Sequence, residues 1–109
     1  MDAITGKKVQ EMQMIEQSLQ SLLMQKQAFL MESEENDRAL HELNNSGDEV
    51  YKLVGQLLIK SEKKKILEDL QKKSELLNLR IKNLEKQELS MTDKLENLRQ
   101  DISKSFQNE

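Results

Sequence analysis

Leu67, Leu70, Leu77, Ile81, Leu84, Met91, Leu95, Leu98 and Ile102 recur at alternating steps of three and four residues, and Ser74, Glu88 and Ser105 complete the series. Nine of these twelve positions are apolar. Side chains three and four apart share one helix face, and a stripe this narrow has to be covered by another helix rather than by a globular core. A long α-helical coiled coil is therefore the first expectation.

Composition supports it. A chain of 109 residues has room for about one domain, yet 34% charged, 36% hydrophobic and 3% aromatic residues cannot fill a compact interior. Such a mixture suits either disorder or long helices with thin apolar stripes, and sustained heptads with a net charge of only −3 favour helices. There is no cysteine, hence no disulfide framework and no thiolate metal site. No N-terminal apolar run predicts a signal peptide, and no apolar stretch is long enough to span a bilayer. The expectation is a cytoplasmic protein with no membrane partner.

Proline is absent, and Gly6, Gly47 and Gly55 are the only glycines. A first helix is expected over residues 5–43, with its seam at Met12, Ile15, Leu19, Leu22, Phe29, Leu40 and Leu43. Lys26, Ser33 and Asn36 interrupt that seam, while Val9, Leu23 and Leu30 should widen it. Asn44-Asn45-Ser46-Gly47 then supplies residues that tolerate a left-handed conformation and end a helix. The second helix is expected over residues 61–105, with Ser61 as N-cap. Lys63, Lys64 and Lys65 fall in its first turn, an unfavourable place for cations that calls for an acidic neighbour. At about 1.5 Å rise per residue, helices of roughly 60 and 70 Å are too long for a small globule.

If the second helix folds back with residues 43 and 62 level, Glu34, Glu35 and Asp37 come near Lys72 and Lys73. The charge totals agree: residues 1–43 hold four basic and eight acidic side chains, and residues 61–109 hold eleven and ten. An acidic arm beside a slightly basic one suits an intrachain hairpin, and a parallel homodimer would match no such blocks.

The connector, residues 50–60, has a different pattern. Val50-Tyr51-Lys52-Leu53-Val54 and Leu57-Leu58-Ile59-Lys60 are β-favouring runs around Gly55-Gln56, and glycine at the first central position suits a type II′ turn. In that register Val54 faces Leu57, Leu53 faces Leu58, Lys52 faces Ile59 and Tyr51 faces Lys60. Apolar side chains then occupy both faces, so one coiled coil could not cover the ribbon. An isolated hairpin is marginal in water and leaves its edges unpaired. Val50, Tyr51, Leu53, Val54, Leu57, Leu58 and Ile59 are accordingly expected to mediate oligomerisation, with several hairpins closing into a β-barrel platform.

Catalysis has little support. His41 is the only histidine and is expected on the helix surface; no glycine-rich phosphate loop exists. Glu34, Glu35 and Asp37 lie on a helix rather than in an oxygen-lined loop, so no metal site is expected, and no catalytic residue or cofactor either. Lys63, Lys64 and Lys65 lack interleaved aromatics, which argues against nucleic acid. A structural coiled-coil tether that recruits folded partners shares this architecture and is the alternative function.

Val50-Tyr51-Lys52-Leu53-Val54-Gly55, then Leu57-Leu58-Ile59-Lys60, then Leu79-Arg80-Ile81-Lys82-Asn83-Leu84-Glu85-Lys86-Gln87-Glu88, resemble the β class of prefoldin subunits, in its archaeal form. The resemblance covers nearly the whole chain, as a single prefoldin-like domain over residues 1–109. Ser61-Glu62 departs from the acidic or Gln-Asp pair common in that class. The resemblance implies an all-α-dominated fold, a long antiparallel coiled-coil hairpin with one β-hairpin at the connection. It also implies a heterohexamer of two α and four β subunits, which holds unfolded polypeptides without ATP and passes them to a group II chaperonin.

For such clients the start of the first helix and the end of the second are the expected contact region. Ile4, Val9, Met12, Met14 and Ile15 stand there opposite Leu95, Leu98, Ile102 and Phe106, and Ile4, Val9, Met12, Met14, Ile15, Leu98, Ile102 and Phe106 are the expected client contacts.

Overall fold

A computed structural model of the chain describes residues 2–107. Its elements run α1 (Ala3–Asn44), β1 (Val50–Val54), β2 (Leu57–Ser61) and α2 (Lys63–Gln107). The expected order and types are all present.

The helix ends differ from the expected ones for local reasons. α1 begins two residues early because Asp2 caps it: the Asp2 carboxylate accepts the Thr5 N–H at 2.6 Å, and its carbonyl accepts the Gly6 N–H at 3.0 Å. The Thr5 N–H, and then the Thr5 hydroxyl, hold the Asp2 carboxyl below its ordinary value. At the other end, the expected left-handed cap does not form, since Gly55 is the only described residue with positive φ. The Ser46 hydroxyl instead donates to the Leu43 carbonyl at 2.8 Å, and the Asn45 N–H reaches the His41 carbonyl at 3.2 Å. His41 is exposed and its Nε2 meets the Asn45 amide.

Ser61 is not the N-cap of α2. It pairs with Val50 as the last rung of the hairpin, and the Glu62 carbonyl accepts the Ile66 N–H at 3.1 Å, so α2 starts at Lys63. None of Lys63, Lys64 and Lys65 in this first turn forms an ion pair among the described residues. Lys63 Nζ donates to the Ser46 carbonyl at 2.8 Å, beside the C-terminal end of α1, where the helix dipole favours positive charge.

The chain packs as two units, residues 2–27 with 82–107 and residues 28–81. In each, the two helix segments pair antiparallel. From Leu67 onward, the twelve seam positions of α2 are its buried or half-buried residues, and every other described residue is exposed. The α1 seam is half-buried or buried throughout, but Leu23 and Leu30 do not widen it; both are exposed. The helices meet along a three-and-four stripe, widened at Val9 as expected, which is half-buried, while Leu23 and Leu30 one step off the seam stay in solvent.

Leu22, Leu84 and Leu95 form the buried core of the first unit, and Leu43, Val50, Leu77 and Ile81 that of the second. Burying such side chains contributes roughly 1.5–3 kcal/mol each. Several polar seam residues find partners across the helix pair. In the first unit the Thr5 and Ser105 hydroxyls bond at 2.8 Å, and Lys26 Nζ lies 3.1 Å from Glu88 and 3.9 Å from Glu85. In the second, Asn36 Nδ2 donates to the Leu70 carbonyl at 2.9 Å, and the Arg80 guanidinium sits 5.6 Å from the Phe29 ring centroid. The cross-helix ion pair here is Glu32–Lys73 at 3.4 Å. Lys73 thus has an α1 carboxylate, two residues before the nearest expected one, and none of Glu34, Glu35 and Asp37 forms an ion pair among the described residues.

Candidate interaction surfaces

The connector forms the two-stranded antiparallel sheet with the expected pairs, Val54↔Leu57, Leu53↔Leu58, Lys52↔Ile59 and Tyr51↔Lys60, extended by Val50↔Ser61. Gly55 has φ +61° and Gln56 does not have positive φ, the signature of a type II′ turn. Successive side chains alternate between faces. One face carries Tyr51, Leu53, Leu58 and Lys60; the other carries Val50, Lys52, Val54, Leu57, Ile59 and Ser61.

Only Val50 is buried by the helices. Leu53 and Leu58 are 66% and 71% exposed, and Tyr51, Val54, Leu57 and Ile59 are exposed as well. A sheet of two strands has two open edges, and this one offers aliphatic side chains on both faces. Water is a poor partner for that surface. Burial against other strands would satisfy faces and edges together.

The residues expected to contact clients divide into two groups. Ile4 (70% exposed), Met14 and Phe106 (53%) present themselves to solvent. Val9, Met12, Ile15, Leu98 and Ile102 are half-buried in the pairing of the first unit. The Thr5–Ser105 bond brings the start of α1 and the end of α2 together, with Ile4 and Phe106 flanking it in sequence. Lys8 and Asp101, 3.5 Å apart, tie the next turn. Met1 lies outside the described residues.

Sequence reasoning did not single out every exposed apolar side chain. Met24 and Met31 on α1, and Leu76, Leu79 and Leu89 on α2, are exposed apolar residues away from the seam. It also missed Thr5, which is buried. The signal was available: the α1 seam continues backward from Met12 through Lys8 to Thr5 at the same steps of four and three.

Among the described residues no group of His, Cys, Asp or Glu could hold a metal ion, and no helix is long and apolar enough to cross a membrane.

Comparison with known proteins agrees with this geometry. The family model described as prefoldin subunit matches residues 6–109. The chain is 40% identical over 89 residues to the prefoldin subunit beta of Thermococcus onnurineus, covering 80% of this chain and 77% of that one. It is 32% identical over 100 residues to the prefoldin subunit beta of Methanosarcina barkeri, covering 90% and 86%. The crystal structure of the prefoldin beta subunit from Thermococcus strain KS-1 superposes with a TM-score of 0.89 at 32% identity, over 95% of this chain and 93% of that one.

Proposed function

Because this chain belongs to the prefoldin family, a family of chaperone subunits rather than enzymes, we propose that it works as a β-type subunit of an ATP-independent holdase. Its hairpin joins α-type subunits and further β copies, as two α and four β chains, in a β-barrel platform. The paired helix ends capture unfolded polypeptide and deliver it to a group II chaperonin in the cytoplasm.

The observation that carries this reading is the hairpin's exposure. Six aliphatic or aromatic side chains stand in solvent on a two-stranded sheet with both edges open, an arrangement whose physical remedy is other strands. The exposure of Ile4, Met14 and Phe106 supports capture by the ends. Methionine adapts to varied shapes, and one end should bind weakly. Several ends around a shared space raise capture through effective concentration, and weakness at each end permits release without nucleotide.

The test uses the complex assembled from this chain and its α-type partner. It should delay aggregation of a chemically denatured protein without ATP. Shortening this chain to Val9–Leu95, or replacing Ile4, Met14 and Phe106 with serine, should abolish the delay while the oligomer survives. Unchanged protection would move the client site away from the ends. Leu53→Asp with Leu58→Asp should yield smaller species by light scattering with helical circular dichroism largely retained. An unchanged mass would refute the platform.

A further inference from the structure

Six methionines carry all the sulfur of this chain, which has no cysteine. Methionine is among the residue types most often buried. Yet Met14, Met24 and Met31 are 68%, 74% and 56% exposed on α1, at positions outside its seam, where the helix pair calls for no apolar side chain. Met24 is the most exposed large apolar side chain among the described residues. Met12 and Met91, by contrast, are half-buried seam residues. The described methionines thus fall into an open set and a shielded set.

An exposed thioether is open to peroxides. Its sulfur lone pair attacks one oxygen of hydrogen peroxide: an S–O bond forms, the O–O bond breaks, and the second oxygen leaves as water with both protons. Sulfur is oxidised by two electrons and the peroxide is reduced by two, which gives methionine sulfoxide. The product is polar, so burying it against an apolar partner without a hydrogen-bond donor is unfavourable. Outside the seam, sulfoxide leaves the packing between the helices untouched. Within the seam it would disturb that packing, but there the opposing helix limits access to the sulfur.

We propose that Met14 is a peroxide-sensitive modification site, through which oxidation weakens client capture without unfolding the helix pair and a methionine sulfoxide reductase restores it. This rests on the reading above that the helix ends hold clients, and it adds how that grip is regulated. Met14 is exposed and stands among the residues assigned to clients, whereas Met24 and Met31 lie farther along α1 and outside that set. Their oxidation consumes peroxide and leaves capture alone. Several ends hold one client together, so a modest weakening at each multiplies across the complex.

The test treats the complex of this chain and its α-type partner with hydrogen peroxide, removes the peroxide with catalase, and adds a chemically denatured protein. Peptide mass spectrometry should find the added oxygen at Met14, Met24 and Met31 well before Met12 and Met91, with helical circular dichroism unchanged. Protection from aggregation, measured for each complex against its own untreated sample, should fall in step with sulfoxide at Met14. The Met14→Leu complex should keep its untreated level, while Met24→Leu with Met31→Leu should lose protection as the unaltered chain does. Methionine sulfoxide reductases acting on both sulfoxide epimers should restore the lost protection.

An equal loss in Met14→Leu, full protection with Met14 oxidised, a loss that appears only together with loss of helix, or oxidation of Met14 no faster than that of Met12 and Met91 would each overturn the proposal and leave the holdase reading standing. An untreated complex that fails to delay aggregation overturns the holdase reading and this proposal with it.

Discussion

Replacing Asn36 with leucine should make the protein more stable, although it deletes a cross-helix hydrogen bond. Asn36 is 4% exposed, on the α1 seam. Its Nδ2 donates to the Leu70 carbonyl, which lies inside α2 and already has a helical donor. Its Oδ1 is buried with no hydrogen-bond partner among the described residues. A typical hydrogen bond contributes about 0.5–1.5 kcal/mol net, while a buried unpaired acceptor costs about 1–3 kcal/mol. Leucine removes both and adds apolar burial of roughly 1.5–3 kcal/mol. Crowding by the larger side chain subtracts about 1–3 kcal/mol. The balance is a gain of about 1–2 kcal/mol. Urea unfolding followed by circular dichroism, at one fixed protein concentration because assembly shifts the midpoint, should show a higher midpoint at unchanged slope. A lower midpoint would refute the reasoning and mean that the Asn36–Leu70 bond outweighs the orphaned oxygen. The expected penalty lies in register, which a buried polar seam residue helps to specify.

Gly55→Ala should cost about 1 kcal/mol, because φ +61° disfavours any Cβ even though open space surrounds the position; hydrogen exchange should quicken across β1 and β2 while the helices keep their protection. For Lys26 and Glu88, a cycle of single and double methionine variants should give a coupling of about 0.5–1 kcal/mol, limited by partial exposure and reduced in high salt. Asp2 gives a pH signature. Its carboxyl is held low in the folded chain, so its capping contribution is present above the ordinary carboxylate value and is lost as pH falls through the depressed one. Protection of the Thr5 amide relative to its unstructured exchange rate should fall in that acid window, and Asp2→Ala should remove the dependence.

Much of the fold was legible because two periodicities do not overlap. Steps of three and four marked every seam position of α2, and alternation around Gly55 fixed all four expected rungs of the hairpin. What failed were ends and partners. Ser61 reads as a good N-cap in isolation, but its pairing with Val50 keeps it in the sheet. Gly47 invites a left-handed cap, but the Ser46 hydroxyl reaches the Leu43 carbonyl first. Lys63 implied an acidic neighbour, and a carbonyl at a helix C-terminus served the charge instead. For the candidate surfaces, sequence could nominate Ile4, Met14 and Phe106 as off-seam residues. It could not separate them from half-buried Val9, because exposure depends on the fit of the opposing helix.

The salt link of Lys26 to Glu88 and Glu85 also guards against misalignment. Sliding α2 by one heptad would leave every leucine stripe superficially satisfied, yet it would set the Lys26 ammonium against Leu95, a site built for hydrocarbon. A repetitive sequence of this sort could otherwise zip in several frames of similar energy. A single charged tooth, meshing in one frame only, turns those near-equivalents into costly errors.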